Sequence, residues 1–206
     1  MTKRFDGVSV GVLTIAAAAF TFGVLWMGWW YQFGPPSYDF YGFFYPNQLY
    51  AWRSLHEGTG LLWNPYQDCG QPLFAMSQVG LLYPVNLVFM LLDREPAFLA
   101  STLINLSIGG IGTWLLCRAL GLSRVPALCA ALAFELSWTT AWLASWGPIH
   151  LASFVWLPVA LWRTELLIQR PTLRRAIGLG VVLTLQQLPA TKQAASLVVD
   201  GAERDH

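Results

Sequence analysis

Residues 8–30 read VSVGVLTIAAAAFTFGVLWMGWW, an uncharged run that ends in three closely spaced tryptophans. A bilayer core is crossed by about 20 predominantly apolar residues, so this run is long enough to be a transmembrane helix. The competing reading is a cleaved signal peptide, because Lys3 and Arg4 ahead of the run supply a positive n-region. Two features favour a retained span: the run is longer than a signal h-region, and it closes on Trp26, Trp29, Trp30 and Tyr31, an interfacial aromatic belt. Composition agrees. Of 206 residues, 55% are hydrophobic and 11% charged, against roughly 25% charged in a soluble domain. Such a chain cannot cover itself with wettable surface. The net charge of +1 offers no basic field for a nucleic acid.

Further spans follow outward from the first. Residues 97–117, AFLASTLINLSIGGIGTWLLC, are uncharged, and Gly109, Gly110 and Gly112 supply the small residues that let transmembrane helices approach closely. Residues 126–146 form a third span interrupted by Glu135 alone, and residues 149–162 with their flanks a fourth, containing Pro158. Residues 176–188 begin a short fifth. The expected fold is therefore all-α: a polytopic bundle of about five transmembrane helices in one membrane domain over 1–206. Residues 31–96 form a large structured first loop within it. Lys3, Arg4, Arg118, Arg124, Arg163, Arg170, Arg174 and Arg175 all fall on one side of this topology. Lys and Arg in short segments mark the cytoplasmic face, which puts the N-terminus in the cytoplasm and loop 31–96 outside.

That loop carries the chemistry. From Asn47 to Glu57 it reads as an amphipathic helix, with Leu49, Tyr50, Trp52 and Leu55 apolar and Gln48, Arg53, His56 and Glu57 polar, suited to lying in the headgroup plane. Gly58 and Gly60 end it. Residues 61–89, LLWNPYQDCGQPLFAMSQVGLLYPVNLVF, then form a chain of turns through Asn-Pro, Cys-Gly and Tyr-Pro. The run from Val85 to Leu92 is too short to span and reads as an interfacial or re-entrant helix. Asp39 is the first acid after helix one. It is either a helix N-cap or solvated loop acid, or a carboxylate acting as general base or holding a divalent metal ion against a phosphate-bearing lipid. Asp68 and His56 are weaker candidates for that surface, and His150, on the outer side, another. The three cysteines form no CxxC or Cys/His cluster and read as ordinary thiols, so no resident metal site is expected from them.

The order of these pieces resembles a known family. An acid-initiated outward loop, YDFYGFFYPNQLYAWRSLHEG (38–58), leads into LWNPYQDCGQPLFAMSQVGLLYPVNLVF, followed by ALAFELSW (131–138) and FVWLPVALW (154–162). This is similar to the YfhO-like bacterial membrane proteins over roughly residues 35–165. The resemblance implies kinship with GT-C-fold glycosyltransferases, which move a sugar from a polyprenyl-phosphate donor to an acceptor outside the cytoplasmic membrane. Asp39 then matches the catalytic acid of the first outward loop. The implied partners are membrane lipids, a polyprenyl-phosphate sugar donor, and an envelope polysaccharide, lipid or protein acceptor, with no nucleic acid. On this reading Trp63, Tyr66 and Tyr83 can stack on sugar faces, and Asn64, Gln71 and Gln78 can hydrogen-bond sugar hydroxyls. All of them have a bland alternative as belt, packing or backbone-satisfying residues.

Glu135 is the deep acid. On a continuous helix it shares one face with Trp138, Trp142 and Trp146, and an ionisable group within a span is either bundle glue or part of a substrate site. The chain also departs from the family. Relatives are several times longer, Trp138 stands where a glycine is common, and LPATKQ (188–193) replaces a His-containing turn. With the polar ending DGAERDH, these differences imply the front part of a longer protein, or a truncated copy whose competence is reduced. The other function class in play is a non-enzymatic membrane protein that binds lipid or partner helices through its aromatic outer loop.

Overall fold

The computed structural model describes residues 7–26, 40–67, 69–76, 79–146 and 148–189. Asp39, Asp68 and Gln78, the belt aromatics after Trp26 and the segment from 190 onward lie outside them. The described chain is helical: α1 (Gly7–Trp26), α2 (Tyr45–Glu57), a short α3 (Val88–Leu91), α4 (Arg94–Ala119), α5 (Arg124–Glu135), α6 (Trp138–Trp146), α7 (Pro148–Gln169) and α8 (Leu173–Gln187). A π-helical turn, Phe40–Phe44, leads into α2.

Two helical stretches are long and apolar enough to cross a membrane, Pro96–Ala119 and His150–Gln169, and a third is added if the bent pair Arg124–Glu135 and Trp138–Ala144 acts as one span. The apolar stretch of α1, Gly7–Phe20, is shorter. α4 is the central helix. It packs most extensively on α7, then on α5 and α1, while α8 packs on α7. The glycines explain how closely. A Cβ at Gly109 would come within 2.7 Å of Phe134 and 3.2 Å of Val155, and one at Gly112 would meet Val159. The small-residue expectation for this stretch therefore holds. Ala17, Leu106, Ala144, Leu151 and Val155 form one buried cluster joining α1, α4, α6 and α7, and Phe134 stacks on Phe154 across α5 and α7 at 5.2 Å. On the candidate span α7, Leu157, Leu161 and Ile168 point outward, as a helix solvated by lipid tails requires, and Val8, Ile15 and Val181 on α1 and α8 are exposed as well.

The third span differs from expectation. It bends by 40°, and Glu135 is the last residue of α5 rather than a mid-helix position. Ser137 causes the restart: its Oγ accepts the Thr140 N–H at 3.2 Å, an N-cap for α6. The Thr140 hydroxyl in turn donates to the Glu135 carbonyl at 2.8 Å. The proposed one-face stripe dissolves at this break, with Glu135 wholly buried and Trp138 65% exposed.

At one end of the bundle Gln169 Nε2 donates to Ala119 O at 3.2 Å, joining the C-termini of α4 and α7. Arg118, on the last turn of α4, and Arg170 and Arg175, at the α7–α8 turn, gather at this end, where Arg175 donates to Leu166 O and Arg170 O. Loop residues Phe44 and Phe89 pack on Ala97 and Phe98 at the opposite end of α4.

Candidate functional site

α2 starts two residues ahead of the expected Asn47 and ends, as expected, at Glu57. Pro46 sits in its first turn, where the missing N–H costs nothing, and Gly58 ends it in the left-handed conformation (φ 68°), its N–H bonded to Ser54 O. Of its polar residues Arg53, His56 and Glu57 are exposed as expected, while Gln48 departs from expectation and is buried. The buried residues are Asn47, Gln48, Ala51 and Ser54, whereas Leu55 is 51% exposed. The reason is non-local. Gln48 Nε2 donates to Val79 O, and Asn47 accepts from Asn64 Nδ2 at 2.9 Å, so the polar face satisfies loop polar groups while Ala51 packs with Leu73 and Val79.

The segment 64–71 is a closed turn. Asn64 and Gln71 exchange both backbone bonds, at 2.7 and 2.8 Å. Inside it Asn64 Oδ1 accepts the Tyr66 N–H at 3.0 Å, Cys69 adopts φ 62°, and Gly70 N–H returns to Gln67 O. Gly70 is demanded twice: its φ is +110°, and a Cβ there would lie 2.6 Å from Trp63 Cζ2. The Trp63 indole thus rests on Gly70, and its carbonyl accepts from Tyr50 Oη at 2.9 Å.

Between α2 and this turn lies an open cleft of about 560 Å³. Tyr50, Arg53, Glu57, Asn64, Tyr66 and Gln67 are among its lining residues. The Tyr66 ring, 85% exposed, meets Tyr50 edge-on at 5.8 Å. Gln67 Nε2 donates to Gly42 O at 2.7 Å, while its Oε1 is buried with no partner. Of the candidates read from sequence, Asn64 and Tyr66 line this cleft, and Trp63 and Gln71 brace its turn. Asn64 is buried and bonded within the protein, so it shapes the wall. His56 stands apart on the exposed side of α2, its ring 4.4 Å from Trp52 and its Nδ1 bonded with Trp52 O. Arg53, Glu57 and Gln67 were not singled out. The recurrence of 46, 49, 50, 53 and 57 on one helical face was the available signal for the first two.

Tyr83 is not a surface platform. It is buried, donating to Asn105 Oδ1 at 2.6 Å and accepting from Trp156 Nε1 at 3.0 Å. Burial pushes its phenol up to about 12, the hydrogen bond from Trp156 pulling the other way. Asn105 lies nine residues, about 13 Å, along α4 from Pro96, so the loop reaches down between α4 and α7. The following 3₁₀ turn, Pro84–Leu87, and α3 form the short helical element expected after Tyr83. Glu135 is elsewhere again: neither carboxylate oxygen has a hydrogen-bond partner, and the carboxyl nests against Gly110, where any side chain would overlap it. Among the described residues, no group of three His, Cys, Asp or Glu side chains is placed to hold a metal ion.

Fold and site together define an all-helical membrane protein whose first loop is a folded unit bearing a ligand-sized cleft. The chain matches no family model, no curated protein and no solved structure.

Proposed function

We propose that this chain is a membrane glycosyltransferase of the GT-C type, or its front part. It transfers a sugar from a polyprenyl-phosphate donor to an envelope acceptor on the outer face of the bacterial cytoplasmic membrane. The observation that carries this reading is the cleft, which joins tyrosine rings to a carboxylate, a guanidinium and amides in a loop that is hydrogen-bonded to α4 and α7. The clustering of arginines at the far end of the bundle supports a cytoplasmic location for that end. Counting α1 and α8 as spans makes five, with the N-terminus inside.

In this mechanism Asp39 accepts the proton of the acceptor hydroxyl as its oxygen bonds to the anomeric carbon. The bond from that carbon to the polyprenyl phosphate breaks, and the phosphate leaves with the electron pair. Gly42, three residues after Asp39 in sequence, is part of the cleft wall. A divalent ion, where present, would stabilise the leaving phosphate. The test is transfer of radiolabelled sugar from a polyprenyl phosphate to membrane acceptors. Asp39→Asn should insert normally and lose transfer by about 10²–10⁴-fold; unchanged transfer would refute the assignment. The outward Leu55, Leu62, Phe74 and Leu82 favour a second reading, lipid or partner binding without catalysis, which gains if the wild-type chain transfers nothing.

A further inference from the structure

We infer that the cleft on α2 is a subsite for a neutral pyranoside, the acceptor sugar of the reaction proposed above, on which reading this assignment rests. Three features point to that chemistry. The cleft volume of about 560 Å³ falls within the roughly 300–1,000 Å³ of small-molecule sites. Tyr66 offers an exposed ring, kept in place by Tyr50 and by the bond from its N–H to Asn64, a surface for the C–H face of a sugar. Arg53 and Glu57, one turn apart on α2, line the same cleft. Their charges cancel, so the site presents donors and acceptors without a net field. A polyol uses both. A phosphate would gain Arg53 but meet the Glu57 carboxylate.

The probe is saturation-transfer NMR on the full chain in nanodiscs free of glycoside detergent. The ligands are methyl glucopyranoside, methyl N-acetylglucosaminide, methyl galactopyranoside and glucose 1-phosphate. At least one neutral glycoside should bind, and more tightly than glucose 1-phosphate. Tyr66→Ala should weaken it by about tenfold or more, Glu57→Gln should weaken it less, and Tyr66→Phe, which keeps the ring, should retain it. Unchanged binding in Tyr66→Ala overturns the assignment. So does tighter binding of glucose 1-phosphate that is lost in Arg53→Ala, which would make this an anion site, and so does binding of none of the four. Sugar transfer by the same sample separates the two claims. Transfer without cleft binding removes the subsite and leaves the enzyme; binding without transfer removes the enzyme and leaves a saccharide site.

Discussion

Replacing Gly110 by alanine should destabilise the bundle, and the cost should depend on Glu135. A methyl at Gly110 would overlap the Glu135 carboxyl and come within 2.7 Å of its Cγ. That side chain is fully buried, so it has nowhere to retreat without moving α5. Overpacking of this kind costs about 1–3 kcal/mol, offset by about 1 kcal/mol because alanine is the better helix former. The net loss for Gly110→Ala should be up to about 2 kcal/mol. In Glu135→Ala the three atoms that the methyl would strike are gone, so adding Gly110→Ala there should be neutral or stabilising. Glu135→Ala opens a cavity and also removes a buried carboxyl with no hydrogen-bond partner, two opposed effects that drop out of the cycle. The coupling energy should be about 1–3 kcal/mol, at the upper end of values for contacting residues. It can be measured by equilibrium unfolding in mixed micelles, followed by circular dichroism, for the wild type, both single variants and the double variant. Additivity within about 0.5 kcal/mol would mean that the carboxyl does not occupy the Gly110 notch, and would refute the packing of α5 on α4 described above.

Four further outcomes are expected. Tyr83→Phe strips a donor from Asn105 and an acceptor from Trp156, and should cost about 1–3 kcal/mol in the same unfolding assay. Because the folded-state phenol is raised to about 12, its contribution is full below pH 10 and is lost as pH climbs toward 12, a fall of about 3 kcal/mol. The difference between wild type and Tyr83→Phe at pH 9 and pH 11.5 isolates this term, and a constant difference would contradict it. Gly70→Ala should disturb the 64–71 turn by more than about 1 kcal/mol, since both the positive φ and the Trp63 contact oppose it; limited proteolysis of the loop reads this out. Cys69 is exposed and should react with a membrane-impermeant maleimide in intact cells, whereas labelling only after lysis would invert the proposed orientation.

How much of this was legible depended on whether the determinant was local. α4 and α7 announce themselves as uncharged runs, because lipid selects residue by residue. The C-terminal end of α2 was equally plain, Gly58 being punctuation that acts on its own backbone. The break after Glu135 was written at Ser137, a serine just ahead of Trp138 whose side chain caps a restart, but a glutamate inside an apolar run draws attention away from its neighbour. The burial of Asn47 and Gln48 on α2 was not legible by periodicity at all. Hydropathy assigns Asn47 and Gln48 to water, and only the loop carbonyls and amides, supplied from residues 64 and 79, make burial of those amides favourable. Tyr83 could be read as sugar platform or as packing for the same reason: its partners Asn105 and Trp156 are distant in sequence. The cleft lay between these cases, half of it on a visible helical face and half on a turn that the Asn64–Gln71 bridge folds into place.

The Tyr83 clasp also sets a clock on biosynthesis. The phenol hydroxyl needs an acceptor from α4 and a donor from α7, and Trp156 follows Tyr83 by 73 residues. At about 5–20 residues per second, Trp156 is made about 4–15 seconds after the tyrosine. Through that interval the loop is already made while its last tie has not yet been synthesised. The loop therefore reaches its final form only once α7 has been made and has packed against α4.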